Sequence, residues 1–233
     1  MDSLEKQLQK CEPDKVKLIV IDGLDGSGKS TQFDIVKEKL SQEYTVKAIS
    51  FPEYDKPSST LVKMYLSGEI SENAADINAY AASSFYAVDR YVSYKKYWEQ
   101  NYKNGELILA SRYVSSNAIH QMSKLPESEW DSYLEWLQDY EYSKFELPRP
   151  NCVIFLDMPI EISQKLMSGR YNGDESKKDI HESNIAYLMT CRKTALYAAE
   201  KLGWHVVGCN DGDKPLPIKA INDKIMKIIA NVL

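Results

Sequence analysis

Cysteine is scarce in this 233-residue chain, and the four that occur, Cys11, Cys152, Cys191 and Cys209, stand far apart. No two form a C-x-x-C pair, and no histidine lies at metal-ligand spacing from them, so neither a zinc site nor a disulfide framework is encoded. Free thiols in a reducing, cytoplasmic compartment are the expectation. Long apolar runs are missing as well: nothing approaches the roughly 20 residues that a membrane span needs. Met1 to Lys17 is polar and mixed in charge, without the apolar core of a signal peptide. A basic surplus is also lacking. The formal net charge of −5 argues against a nucleic acid as partner, although one basic pocket could still hold a small anion. Internal repeats, low-complexity stretches and Pro/Gly-rich linkers are absent, so residues 1–233 are expected to form a single domain.

What is present alternates between two periods. Lys15–Asp22 (KVKLIVID) reads as a buried strand, and Lys29–Tyr44 as an amphipathic helix after a Gly-rich turn. Thr45–Phe51 is a second strand stopped by Pro52, and Ser58–Leu66 a short helix ending near Gly68. A long helical region spans about Ala74 to Tyr102, with a break expected near Arg90 and a stop at Asn104-Gly105. Glu106–Ala110 is a third strand, followed by helix from about Ser115. Pro126 suits the first position of a helix reaching about Phe145. Cys152–Asp157 and His205–Gly208 complete the strands; Ile160–Ser168, a segment ending at Leu202 and Ile218–Val232 are the remaining helices. Such alternation implies an α/β fold, a parallel sheet covered by helices on both faces, with its ligand beyond the carboxyl ends of the strands.

One motif falls at such an end. Gly23-Leu24-Asp25-Gly26-Ser27-Gly28-Lys29-Ser30 fits G-x-x-x-x-G-K-[ST], with a strand before it and a helix after it. Glycines let backbone N–H groups turn toward phosphates, and the helix points its positive end at them. Lys29 can reach the β- and γ-phosphates, and the Ser30 hydroxyl can ligate Mg²⁺. By chance the pattern arises in roughly one chain per hundred of this length. A guanine-reading Asn-Lys-x-Asp is excluded, since the chain contains no Asn-Lys dipeptide. A small phosphotransferase is the better reading.

Four segments then carry a family resemblance over nearly the whole chain. IDGLDGSGKSTQ (Ile21–Gln32), FPEY (Phe51–Tyr54), YAVDR (Tyr86–Arg90) and SRYVSSNAIHQ (Ser111–Gln121) resemble thymidylate kinase in order and spacing. The resemblance implies a P-loop NTPase three-layer sandwich with a five-stranded parallel sheet. It also implies ATP and Mg²⁺, dTMP as acceptor and, commonly, a homodimer. Gly23, Asp25, Gly26, Ser27, Gly28, Lys29, Ser30 and Thr31 become candidate ATP-binding residues, with Ser30 on the metal.

On the acceptor side, Tyr86 and Arg90 stand i, i+4 on a helix and so face the same way. The family pattern stacks the first on thymine, where Phe is commoner, and points the second at its O4. Asn117, with Ser116, would meet the base edge. His120 replaces an aromatic that crowds the sugar 2′ position. Arg112 would hold the acceptor phosphate with a planar fork that Lys lacks. Asp25 would contact the 3′-hydroxyl, with Phe51 and Tyr54 bordering phosphate and deoxyribose. The P-loop has no Arg, so a lid over about residues 169–179 (GRYNGDESKKD) would supply Arg170 as a third catalytic cation beside Lys29 and Arg112. One departure stands out: Ser111 occupies the place of the family's usual Asp, which leaves the metal's second anchor open. A kinase for another nucleoside monophosphate or for a deoxynucleoside, or a nucleotide-binding module with impaired catalysis, are the alternatives.

Overall fold

The apolar strands assemble into one sheet in which every neighbour is parallel. β1 (Leu18–Gly23), β2 (Val46–Ser50), β3 (Leu107–Ser111), β4 (Cys152–Asp157) and β5 (His205–Gly208) lie in the order β2-β3-β1-β4-β5. The computed structural model describes residues 17–71, 73, 76–170 and 185–233, without the side chains of 168–170. Strand β1 is central and buried along its whole length, because it has strands on both sides and helices on both faces. Its side chains divide with a period of two. Leu18 and Val20 join a layer containing Ile108, Ala110 and Tyr133, whereas Ile19 and Ile21 join Val36, Leu40, Ile221 and Ile225 on the opposite face.

The covering helices are α1 (Lys29–Leu40), α2 (Thr60–Leu66), α3 (Ala79–Ser93), α4 (Glu99–Lys103), α5 (Ser115–His120), α6 (Trp130–Gln138), α7 (Ile160–Arg170), α8 (Ile185–Leu202) and α9 (Ile218–Val232). Four features differ from the sequence reading. Helix α3 starts at Ala79, where the Asn78 side chain accepts from the Ala81 N–H at 2.8 Å, and it gives way to a π-helical segment at Tyr94–Trp98, not at Arg90. That segment buries both Tyr94 and Trp98, with ring centroids 4.6 Å apart. Pro126 is extended and precedes a 3₁₀ turn at Glu127–Glu129, and only then does α6 begin. A second π-helical segment, Asp139–Lys144, follows α6 and turns Glu141 fully into the interior. A small hairpin of β6 (Asn210–Asp211) and β7 (Lys214–Pro215) was not foreseen; two-residue strands leave no periodic signal. Most of the expected lid, and Cys11, lie outside the described residues.

Candidate active site at the carboxyl ends of the strands

Strand β1 delivers the phosphate-loop motif. Its last residue is Gly23, and α1 begins at Lys29. Gly26 has φ 76°, and a Cβ there would lie 2.8 Å from the Ser163 carbonyl oxygen of α7, so only glycine fits. Gly28, at φ 82°, is the N-cap of α1; no side chain caps this helix, and its first turn holds no acid. The positive end of α1 is therefore unanswered by its own side chains. The Ser27 hydroxyl is buried and has no hydrogen-bond partner among the described residues.

Lys29 stands beside this loop with its pKa lowered to about 8, first by burial and then by Arg112, against the pull of Asp25 and Asp22. Asp22, at the end of β1, is fully buried. It accepts from the Gly23 N–H at 2.8 Å and from the Ser115 and Ser116 hydroxyls at 2.7 Å each. Arg112 approaches it to 4.0 Å.

Arg112 follows β3 with φ 64°, a left-handed conformation that costs a non-glycine residue about 1–2 kcal/mol. Its N–H still pairs with the Ile21 carbonyl at 3.1 Å, so the residue is held in the sheet's pattern while its side chain turns over the loop. There Nη2 donates to Asp25 at 2.6 Å and Nη1 meets His120 Nε2 at 3.0 Å. Burial lowers the affinity of this guanidinium for its proton, but Asp25 and Asp22 outweigh that and raise its pKa.

A cavity of about 370 Å³ opens between these groups and α3, α5 and the chain after β2. Asp25, Lys29, Ser30, Ser111 and Arg112 line it together with Phe51, Tyr54, Tyr86, Arg90, Ser116, Asn117 and His120, among others. The sequence-chosen acceptor residues are thus brought together in one space with the lysine of the phosphate loop. Thr31 lies exposed on α1, one residue past this lining. Arg170 ends α7, and its side chain is outside the described atoms. A second cavity, about 180 Å³, lies at the amino ends of β4 and β5 beside Tyr142, Arg149 and Trp204, remote from the motif.

Two residues are engaged differently from the sequence expectation. Ser116 directs its hydroxyl at Asp22, because a buried carboxylate needs donors and the first turn of α5 supplies them. Arg90 is fully buried and is gripped by Glu141: Nε to Oε2 and Nη2 to Oε1, both 2.6 Å. Its Nη1 donates to the Tyr113 carbonyl at 3.3 Å. Asn117 gives its amide protons to the same Glu141 at 2.9 Å and to the Ser83 carbonyl at 3.2 Å. Asp89, the sequence neighbour, takes the Ser58 hydroxyl and the Glu53 N–H instead. Tyr86 packs edge-on against Tyr65 at 6.3 Å.

Sequence reasoning missed Glu141, Tyr187 and Gln121. Glu141 lies 51 residues from Arg90, and no local pattern joins them. Tyr187 stacks on His120 from α8 at 6.4 Å. Among the described residues no cluster of three or more His, Cys, Asp or Glu could hold a metal ion, and no helix is long and apolar enough to cross a membrane.

Comparison with known proteins agrees with this geometry. The sequence model of the family described as thymidylate kinase matches residues 21–219. A thymidylate kinase of Mycobacterium tuberculosis is 29% identical over 205 residues, covering 83% of this chain and 92% of that one. One of Caenorhabditis elegans is 24% identical over 226 residues, covering 92% and 90%. The solved structure of the Candida albicans thymidylate kinase superposes with a TM-score of 0.67 at 20% identity, over 93% and 92% of the two chains, a likeness of fold. This chain belongs to the thymidylate kinase family and is a kinase.

Proposed function

We propose that this chain transfers the γ-phosphoryl group of ATP to the phosphate of dTMP, yielding dTDP and ADP. One observation carries the reading: a single cavity is lined by the phosphate-loop Lys29 and the Arg112 fork together with the Tyr86, Arg90 and Asn117 side chains. In the in-line step an oxygen of the dTMP phosphate attacks the γ-phosphorus, and the bond to the β,γ-bridging oxygen breaks, leaving its electrons on ADP. No strong base is needed, because the attacking oxygen is already anionic. Catalysis then comes from positioning and from neutralising charge on the transferring group.

Lys29 serves the β- and γ-phosphates, and the backbone of Gly23 to Ser30 with Thr31 cradles them. Arg112, anchored on Asp25, turns its remaining N–H bonds to the acceptor phosphate; with this anchor Asp25 reaches the 3′-hydroxyl only by its other oxygen. Tyr86 stacks on the thymine ring. Arg90, oriented by Glu141, and the Asn117 carbonyl read its edge, while Phe51, Tyr54 and His120 enclose the sugar. Arg170 is the lid cation.

Mg²⁺ fits the donors present: Ser30, in the same cavity as Asp25 and Ser111, would hold it through a hard hydroxyl oxygen, with the remaining donors left to phosphate and water. When bound it supplies charge neutralisation on the phosphates. A single domain in a reducing cytoplasm is the accompanying reading, supported by three buried free thiols, Cys152, Cys191 and Cys209. A homodimer is proposed too, with exposed Tyr91 and Val92 on α3 as its candidate face.

The test is ADP release from ATP across a panel of nucleosides and monophosphates. Turnover that depends on dTMP supports the proposal. Preference for another acceptor, or silence with all of them, overturns it.

A further inference from the structure

His120 stands where the family resemblance places an aromatic, and its two ring nitrogens face different partners. Nε2 lies 3.0 Å from Arg112 Nη1, and Nδ1 lies 3.4 Å from the Tyr187 hydroxyl. The tautomer follows from the partner. A guanidinium carries donors only and does not lose its proton in a protein. The nitrogen that meets it at hydrogen-bond distance must therefore offer a lone pair. His120 is then neutral with its proton on Nδ1, where the Tyr187 oxygen accepts it. The near-parallel stacking of the two rings, 25° apart, holds the imidazole in that plane.

Arg112 needs such a partner. Its backbone is left-handed, and its long side chain would otherwise sample many rotamers. Asp25 holds Nη2 at 2.6 Å, whereas Asp22 comes no nearer to Nη1 than 4.0 Å, beyond hydrogen-bond reach, so these two acids leave the guanidinium plane loosely defined. His120 on Nη1 supplies the second contact, so the plane is defined and the remaining N–H bonds face the cavity.

We infer that His120 is a positioning residue: in its neutral, Nδ1-protonated form it orients Arg112 for the acceptor phosphate, and protonation of its Nε2 releases that hold. A proton on Nε2 would face the guanidinium with a second positive charge at 3.0 Å and remove the lone pair that accepts the bond. Arg112, with Asp25 behind it, comes from the chain after β3 and the phosphate loop, and Lys29, Tyr54, Tyr86 and Arg90 share the cavity. Tyr187 and Cys191 come from α8. Only Asp25 among these is an acid, and it is taken by Arg112.

This inference rests on the proposed role of Arg112 in dTMP phosphorylation, so its test has one arm that needs no activity. The chain has three histidines, and ¹⁵N-labelled rings can be read in the free protein. At neutral pH one ring is expected with a bare Nε2 and a protonated Nδ1, and its signals vanish in His120→Gln. A proton on Nε2 of His120 at neutral pH overturns the inference. The kinetic arm follows kcat/KM for dTMP downward from about pH 7.5 through and below the ordinary imidazole range, because the neighbouring guanidinium opposes the second proton. In His120→Gln the amide oxygen presents an acceptor near the Nε2 position that cannot be protonated. The acid-side fall, each protein normalised to its own value at pH 7.5, is expected to be at least about fivefold greater for the unmodified chain than for this variant. The ionisation of dTMP itself, near pH 6, affects both alike and cancels in the comparison. His120→Phe keeps a ring without the acceptor and should lose about tenfold in kcat/KM at pH 7.5. Equal acid limbs in the unmodified chain and His120→Gln, or full activity of His120→Phe, would overturn the inference. Absence of dTMP kinase activity would instead defeat the proposed function, with the tautomer still deciding this point.

Discussion

Replacing Glu141 by Ala tests how the acceptor end of the cavity is held. Glu141 is wholly buried and receives two bonds of 2.6 Å from Arg90, itself 1% exposed, and one of 2.9 Å from Asn117. Burial alone would lower the Arg90 pKa, yet Glu141 more than compensates and raises it, so the cation stays charged. Removing the carboxylate strands that charge in the interior, at a cost of about 3–5 kcal/mol. For a chain of this size each kcal/mol shifts Tm by ~2–4 °C, so Glu141→Ala should lower Tm by roughly 6–20 °C. Arg90→Met alone leaves a buried carboxylate with Asn117 as remaining donor, and should destabilise comparably. The double variant Arg90→Met/Glu141→Leu removes both charges for apolar groups of similar volume. It should recover to within about 1–2 kcal/mol of the unmodified chain. Affinity for dTMP should not recover, because no guanidinium then faces the base. The assay is thermal unfolding of all four proteins beside isothermal titration with dTMP. Single variants within ~2 °C of the unmodified chain, or a double variant no more stable than the singles, would refute the reasoning.

Other expectations follow from the same geometry. Lys29→Ala should fold normally and lose at least ~100-fold in kcat, the scale for one preorganised charge stabiliser; a near-normal rate would remove Lys29 from the mechanism. Because its pKa is lowered to about 8, Lys29 is charged below that pH and neutral above it. Hence kcat/KM for ATP should fall by up to about tenfold per pH unit above roughly pH 8, and a flat profile to pH 9.5 would contradict it. Gly26→Ala forces a Cβ to 2.8 Å from the Ser163 carbonyl at φ 76°, and should abolish ATP binding while costing ~1–3 kcal/mol of stability; ATP titration and denaturant unfolding measure both. Tyr86→Phe should keep KM for dTMP within about twofold and Tyr86→Ala should raise it by about tenfold or more, as stacking needs the ring and not the hydroxyl; equal KM values for the two would exclude stacking.

How much was legible beforehand depended on distance along the chain. Gly23 to Ser30 is contiguous, and its glycines and lysine act within one turn between a strand and a helix, so the motif announced its own geometry. Tyr86 and Arg90 are one helical turn apart and share a face for the same local reason. The inner strands β1, β3 and β4 could be read because each is apolar on both faces, although the switch from α to π winding at Tyr94 and Asp139 could not. Those segments are set by what they bury, Trp98 in one and Glu141 in the other.

The succession of five strands along the chain, the phosphate loop and the residue types of an acceptor pocket were determined by the amino-acid sequence alone, since backbone periodicity and steric limits act over a few residues. Which side chains became partners was decided only by tertiary structure. Ser116 met Asp22 across 94 positions, Arg112 met Asp25 across 87, and Arg90 met Glu141 across 51. Buried charges must find partners wherever the packed sheet and helices bring them, and no short-range pattern records that choice.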